Sequence, residues 1–309
     1  MLEIKPIFHA LCRSKVGAIL LLIQIAITTA IVSNAAFIIQ DRISYLSQET
    51  GYPEQDIFVF NVMMFGKDVS PSQQYELNEA MLRQIPGVVD AAYSSNTPLS
   101  GSGSSSDFSL KPAPEESKSA RSSYMFIDEH GINTYGVKLI AGRNYTEDEV
   151  IVTDNYDELS KVTVVTKTLL DELFPDGNGL GQTVYFGDIP MKVIGVVELM
   201  KGPWLKDSRP DNVALLPFIK PGTNARFVVR TESGQRQSVM NRVEEAMLKN
   251  YNKRVISRIR GLDDDKESYM AEDTLMMRML IVLITILVLV TALGIFGLTL
   301  FNISKRTKQ

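Results

Sequence analysis

Acid–base, nucleophilic or metal chemistry needs convergent imidazoles, thiols or carboxylates, and this chain offers few. It holds two histidines, His9 and His130, and one cysteine, Cys12. Asp128, Glu129 and His130 are consecutive, so their side chains leave the backbone in different directions and do not converge on one metal ion. A serine hydrolase would need His130 as its base, and no nucleophile-elbow motif accompanies it. Gly177, Gly179 and Gly181 have the look of a dinucleotide loop, but they follow a helical run and precede a strand-like one, the wrong order for pyrophosphate binding. No Walker A pattern occurs in these residues, so ATP hydrolysis is not expected of this chain. The acidic run Asp263–Asp265 reads as a solvated helix start, and Trp204, the sole tryptophan, as a loop anchor. The expectation is a protein with no catalytic residues, no metal and no cofactor.

The elements that frame these residues are more informative. From Val16 to Gln40 and from Met279 to Ser304 no side chain is charged. A helix of 24 residues rises ~36 Å, enough to cross a hydrocarbon layer of ~30 Å. In hydrocarbon the backbone must satisfy its own polar groups, so both runs are predicted to be helical despite their β-branched residues. The first is too long for a cleaved signal peptide and reads as an anchor. Lys5, Arg13 and Lys15 precede the first helix, and Lys305, Arg306 and Lys308 follow the second, while acids crowd its other end from Asp263 to Asp273. By the positive-inside rule both termini are cytoplasmic. The predicted layout is a basic tail over 1–15, a first membrane helix over 16–40, an extracytoplasmic domain over 41–274, a second membrane helix over 275–303 and a cytoplasmic end over 304–309. Gln24 and Asn34 in the first helix and Thr291, Gly294 and Gly297 in the second are predicted to pack helix against helix.

Between the helices the pattern is α+β. A strand over residues 56–65 leads to a helix over 71–84, with Ser70 as N-cap and Pro71 in the first turn, then to a strand over 88–93. Strands near 213–218 and 225–231, a helix over 235–250 and a strand over 255–259 echo that unit. The domain is expected to comprise two βαβ-type halves with a β-rich inserted subdomain near 130–205. The Ser/Gly run at 100–106 reads as a flexible surface loop.

Taken together, the ordered set resembles MacB/FtsX-type ABC transporter permeases. The stretches that carry the likeness are LLIQIAITTAIVSNAAFII, GVKLIAGRNYTEDE, VVTKTLLDELFPDGNGLGQTVYF, MKVIGVV and the closing LGIFGLTLFNISKRTKQ. The resemblance implies an inner-membrane permease whose extracytoplasmic domain is a MacB-like periplasmic core domain. It implies a separate ABC ATPase subunit as partner, a homodimer or a second permease half, a periplasmic adaptor and membrane lipids, and no nucleic acid. It also implies efflux by mechanotransmission, with Lys305, Arg306 and Lys308 opening the ATPase-coupling segment. The family has four membrane helices, so the resemblance casts this sequence as a truncated or split form lacking the last two. The competing reading is a two-helix receptor with an extracytoplasmic sensor domain.

Overall fold

The computed structural model describes residues 15–65, 70–112 and 117–307. The first apolar run lies within α1 (Lys15–Leu46). In β1 (Ile57–Met64), Phe58, Phe60 and Val62 point into a core while Val59 and Asn61 take the other face, the period of two that an extended chain imposes. Ser70 Oγ accepts from the Gln73 amide at 3.3 Å and Pro71 fills the first position, so α2 (Pro71–Arg83) starts where its cap predicts. β2 (Val88–Tyr93) follows.

The chain then leaves this sheet and builds a second one. Its members are β3 (Ser104–Ser109), β4 (Ser119–Ile127), the short α3 (Gly131–Tyr135), β5 (Leu139–Gly142), β6 (Ile151–Val152), β7 (Val162–Thr166), α4 (Lys167–Leu173), β8 (Thr183–Phe186), β9 (Ile189–Val197) and β10 (Val213–Ile219). α3 ends at Gly136, whose φ of 66° is left-handed and open to glycine at no steric cost. The sheet runs β4-β3-β8-β9-β7-β10-β6, and a further β4–β10 pairing closes it into a ring, which removes the two long edges. Phe108, Val184, Met191, Val193, Leu216 and Phe218 belong to its buried core.

β11 (Asn224–Thr231), α5 (Arg236–Asn250) and β12 (Arg254–Gly261) return to the first sheet. Its order is β12-β1-β11-β2 with every neighbour antiparallel, so each βαβ half has a strand of the other threaded between its own two. This is the split βαβ arrangement of ferredoxin-like folds. Leu82 of α2 and Val239, Val243 and Met247 of α5 bury against Phe60 and Phe227, whose rings stack 5.8 Å apart. α6 (Leu262–Tyr269) and α7 (Ala271–Thr307) complete the chain.

Two expectations are corrected here. The insert is larger than 130–205: everything between Tyr93 and Asn224 lies outside the first sheet. β3 was hidden because serine-rich sequence reads as loop, yet β3 is held by pairing along its whole length with β4, with Asp107 opposite Arg121. The acidic run is not simply solvated either. Asp263 receives both arms of the Arg236 guanidinium, at 2.5 and 3.0 Å, and Asp265 lies 3.3 Å from Arg260. Residues 49–269 form one compact unit, and α1 and α7 pair in a second.

Candidate functional site

Two features unite polar groups in otherwise apolar settings: the seam between α1 and α7, and a carboxyl network inside the 49–269 unit. The seam is built by spacing. On α7 the partly covered positions are Met277, Leu280, Ile284, Leu287, Thr291, Gly294 and Leu298, a strict alternation of three and four residues. On α1 they include Leu21, Gln24, Thr28, Val32, Ala35 and Arg42. A period near 3.5 keeps one stripe of each helix facing its partner, the knobs-into-holes geometry. The pairing is antiparallel: Gln24 Nε2 meets the Val290 carbonyl at 3.5 Å, Thr28 and Thr291 share a hydroxyl hydrogen bond of 2.9 Å, and Arg42 Nη1 lies 3.4 Å from Asp273 Oδ1. Away from the seam the helices expose Ile19, Leu22, Phe37, Leu283, Leu293 and Phe296, each apolar. Polar groups inward and apolar groups outward is the pattern expected in lipid. Off the seam, Thr285 and Thr299 return their hydroxyls to Ile281 and Ile295 carbonyls at 2.8 and 2.7 Å.

The structure brings together Gln24, Thr291 and Gly294. A Cβ at Gly294 would sit 3.0 Å from Gln24 Oε1, so the absent side chain makes room for the amide. It does not bring in Asn34 or Gly297. Asn34 is exposed because the stripe passes through its neighbour Ala35, which is 3% accessible. Gly297 has no atom within 4 Å of its notional Cβ, since Leu298 holds the seam position. Lys305 and Arg306 fall in the last turn of α7, and Lys308 lies outside the described residues. The Arg42–Asp273 pair was missed from sequence; extending the 3.5-residue stripe beyond the uncharged runs reaches both residues.

The carboxyl network centres on Asp128, fully buried at the end of β4. Its Oδ2 accepts from Tyr75 Oη at 3.0 Å and the Tyr93 amide at 2.9 Å, and its Oδ1 from the His130 amide at 2.8 Å. Glu79 of α2, also buried, accepts from the same Tyr93 amide at 2.6 Å and hydrogen-bonds Asp128. Burial and the neighbouring Asp128 push the Glu79 carboxyl well above the usual range, against the pull of Arg83 at 3.3 Å. One strand away, burial pushes the Asp90 carboxyl up, but hydrogen bonds from His130 and Asn133 outweigh it and hold Asp90 below its ordinary value. The same Asp90 contact, 3.1 Å to His130 Nδ1, raises the His130 imidazole. Asp128 turns into the core, whereas Glu129 and His130 do not diverge, with Glu129 Oε1 3.6 Å from His130 Nε2; among the described residues no cluster of three or more metal-ligating side chains forms. Trp204 donates its Nε1–H to the Gly101 carbonyl at 2.9 Å, the anchor its setting predicts.

Glu79 makes stability pH-dependent with a fixed sign. A raised folded pKa means the native state holds a proton that the unfolded state gives up at about 4.3. The contribution is fully present below that pH and is lost as pH rises toward the folded pKa, by at most about 1.4 kcal/mol per pH unit. Glu79→Gln keeps an acceptor for Tyr93 and a donor for Asp128 without a titrating proton. Thermal melts of the parent at pH 5 and pH 8 are expected to show a fall in midpoint that is smaller in the variant, which keeps only the part due to other raised groups such as His130. Equal falls in both would remove Glu79 as the cause.

The sequence has known counterparts. A family model described as the MacB-like periplasmic core domain matches residues 18–246. The chain belongs to that family. Among curated relatives, the macrolide export ATP-binding/permease protein MacB of Aggregatibacter actinomycetemcomitans is 26% identical over 189 residues, 59% of this chain and 28% of that protein. The ABC transporter permease YvrN of Bacillus subtilis is 27% identical over 70 residues, 23% of this chain and 16% of that one. The chain thus spans under a third of the MacB length it matches. Among solved structures, the periplasmic region of MacB from Actinobacillus actinomycetemcomitans is 17% identical, covers 71% of this chain and 94% of that one, and has a TM-score of 0.42. The extracellular domain of the ABC-type transporter YknZ from Gram-positive bacteria is 14% identical, covers 65% and 100%, and has a TM-score of 0.39. Helices long and apolar enough to cross a membrane on both sides of such a domain fit a membrane protein with an extracytoplasmic domain.

Proposed function

We propose that this chain is a permease subunit of an ABC transporter that couples ATP hydrolysis on a separate ATPase subunit to movement of its extracytoplasmic domain, for export across the inner membrane. The observation that carries this reading is the reach of the family match, which runs through α1 and on into α5, joining a membrane-length helix to the domain. The seam supports the mechanical part. Two helices locked by hydrogen bonds move as a pair, and their apolar outer faces leave surface for lipid and for the helices of a homodimer mate or a second permease half. Lys305, Arg306 and Lys308 then lie on the cytoplasmic, ATPase-facing side with both termini, and the domain faces the periplasm, open to an adaptor. Hydrolysis itself belongs to the ATPase.

The test is co-purification of the full-length product in detergent with candidate ATPase subunits, followed by an ATPase assay. Association and a several-fold change in ATPase rate are expected, and both are expected to be lost in the triple variant Lys305→Glu, Arg306→Glu, Lys308→Glu. Failure of the parent to associate with any ATPase subunit of its source would sink the transport reading.

A further inference from the structure

The face of the four-stranded sheet that α2 and α5 leave open borders a cleft of about 550 Å³. How its floor is charged follows from a single irregularity. Between β1 and β12 the register slips: Val59 faces Arg260, but Asn61 faces Ser257, so one extra residue sits in β12. Arg254 and Ile256 point toward the helices, where Arg254 donates to Asn78 and Gln74 of α2 and Ile256 joins the core. By the period of two, Arg258 and Arg260 would follow them to that side. The bulge reverses the parity and places Arg260 beside Val59 on the open face. Arg258 adopts a left-handed φ of 55° to make the turn, a conformation costing a non-glycine residue about 1–2 kcal/mol. Asn61 brings its other cross-strand neighbour, Arg226, to the same face, with Arg226 Nε donating to Asn61 Oδ1 at 3.2 Å.

Three guanidinium groups therefore line one cleft with a single carboxylate, Asp265. Arg260 is committed to Asp265 and to Ser268 Oγ, and Arg226 to Asn61 and the Ser95 carbonyl. Among the described residues the Arg258 side chain makes no hydrogen bond and no ion pair, and it feels Asp265 only through the field of that carboxylate. The opposite wall is residues 95–103, which run into the Ser/Gly stretch at 100–106 that the sequence presents as a flexible loop. The structure pins it: Leu99 is fully buried and donates its amide to the Gly202 carbonyl at 3.2 Å, the Gly101 amide donates to the Pro203 carbonyl at 2.8 Å, and Trp204 holds Gly101 from behind. Ser100 and Ser102 line that wall. A fixed wall of hydroxyl residues facing a floor with two surplus positive charges is a preorganised anion receptor, and its volume lies in the range of small-molecule sites.

We propose that this cleft binds a divalent oxyanion of the phosphate class. Two surplus charges match a phosphate dianion, the planar guanidinium fork suits phosphate oxygens, and without an anion the three cations repel one another. The ligand is a phosphate group, either free or carried on a lipid headgroup. The assignment stands on the cleft alone and does not depend on the transport reading.

Trp204 supplies the readout, because it is the only tryptophan and it touches the cleft wall. The full chain in zwitterionic nanodiscs is titrated with inorganic phosphate and, separately, with dihexanoyl phosphatidic acid, with acetate as the monovalent control. Saturable fluorescence change with a phosphate probe, weakened by added NaCl, is expected, with little response to acetate. Binding of both probes assigns the phosphate group itself; binding of phosphatidate alone assigns a lipid headgroup. Arg258→Gln removes an uncommitted guanidinium and is expected to weaken binding at least tenfold with an unchanged melting profile. Asp265→Asn frees Arg260 and is expected to tighten binding several-fold. Lys138→Gln, on the surface outside the cleft, is expected to change nothing. No saturable response to either phosphate probe, or parental affinity in Arg258→Gln, overturns the assignment.

Discussion

Asp128→Ala is expected to destabilise the 49–269 domain by about 3–5 kcal/mol, lowering its melting midpoint by about 10 °C. The size follows from what Asp128 holds. Four donors end on its carboxyl: the Tyr75 hydroxyl, the Tyr93 amide, the His130 amide and the protonated Glu79. The site is fully buried, so water does not replace the lost acceptor, and each orphaned donor costs about 1–3 kcal/mol. Alanine also leaves a small void between α2, β2 and β4. Tyr93 retains Glu79 as an acceptor, which keeps the total below the sum of its parts. Asp128→Asn is the informative companion. Its remaining oxygen serves the His130 amide, while its amide nitrogen confronts Tyr93 N–H, so it is expected to fall between parent and alanine. Tyr75→Phe removes one donor and leaves the carboxyl otherwise satisfied, so about 1 kcal/mol is expected. Calorimetry in detergent distinguishes these. A cost below about 1 kcal/mol for alanine would show that the network does not organise the junction.

The importance of this residue could not be read from the sequence, and the reason is physical. Asp128, Glu129 and His130 look like a charged turn, and the composition of a turn says nothing of which member points inward. Burial there is decided by Tyr75 and Glu79, some fifty residues away on α2. Local signals fared better. Ser70 and Pro71 start α2, Gly136 closes α3, and alternation marks β1, because each is a property of a few adjacent residues. The doubled βαβ pattern was legible for the same reason. Its threading, with β11 between β1 and β2, was not, since pairing partners are set by the whole sheet. The bulge at Arg258 was hidden by its own parity: Arg254, Ile256, Arg258 and Arg260 read as one continuous face. The serine-rich β3 shows the opposite failure. Serine has weak preference for strands, and only its partner β4 makes this segment one. In the helix pair, residue types pointed to Gln24, Thr291 and Gly294, but they pointed equally to Asn34 and Gly297. Heptad spacing, not polarity or smallness, decides which of them meet.

That distinction yields a sharp comparison between two glycines on one helix. Gly294→Leu is expected to break the α1–α7 seam, at a cost of about 1–3 kcal/mol from overpacking, whereas Gly297→Leu is expected to be neutral or slightly stabilising. Both substitutions exchange glycine for a good helix former and add the same apolar volume, so propensity and hydropathy cancel between them. What differs is the neighbour. The Cβ at 294 would meet Gln24 Oε1 at 3.0 Å and Nε2 at 3.2 Å, and leucine adds three further carbons in that direction; the Cβ at 297 meets nothing within 4 Å. Displacing Gln24 also strips its bond to the Val290 carbonyl, and the helices must part far enough to separate Thr28 from Thr291. The readout is a disulfide between Thr28→Cys and Thr291→Cys in a Cys12→Ser background, since the two hydroxyls now lie 2.9 Å apart. Mild oxidation is expected to cross-link the parent and the Gly297→Leu chain and to fail in Gly294→Leu. Under the proposed transport reading, the ATPase rate of the associated subunit is expected to follow the cross-link, because a movement passes between two helices only while they stay engaged. If both leucine variants cross-link alike, the seam is not what fixes these helices together, and the pairing must be imposed from outside by a second copy or a partner subunit.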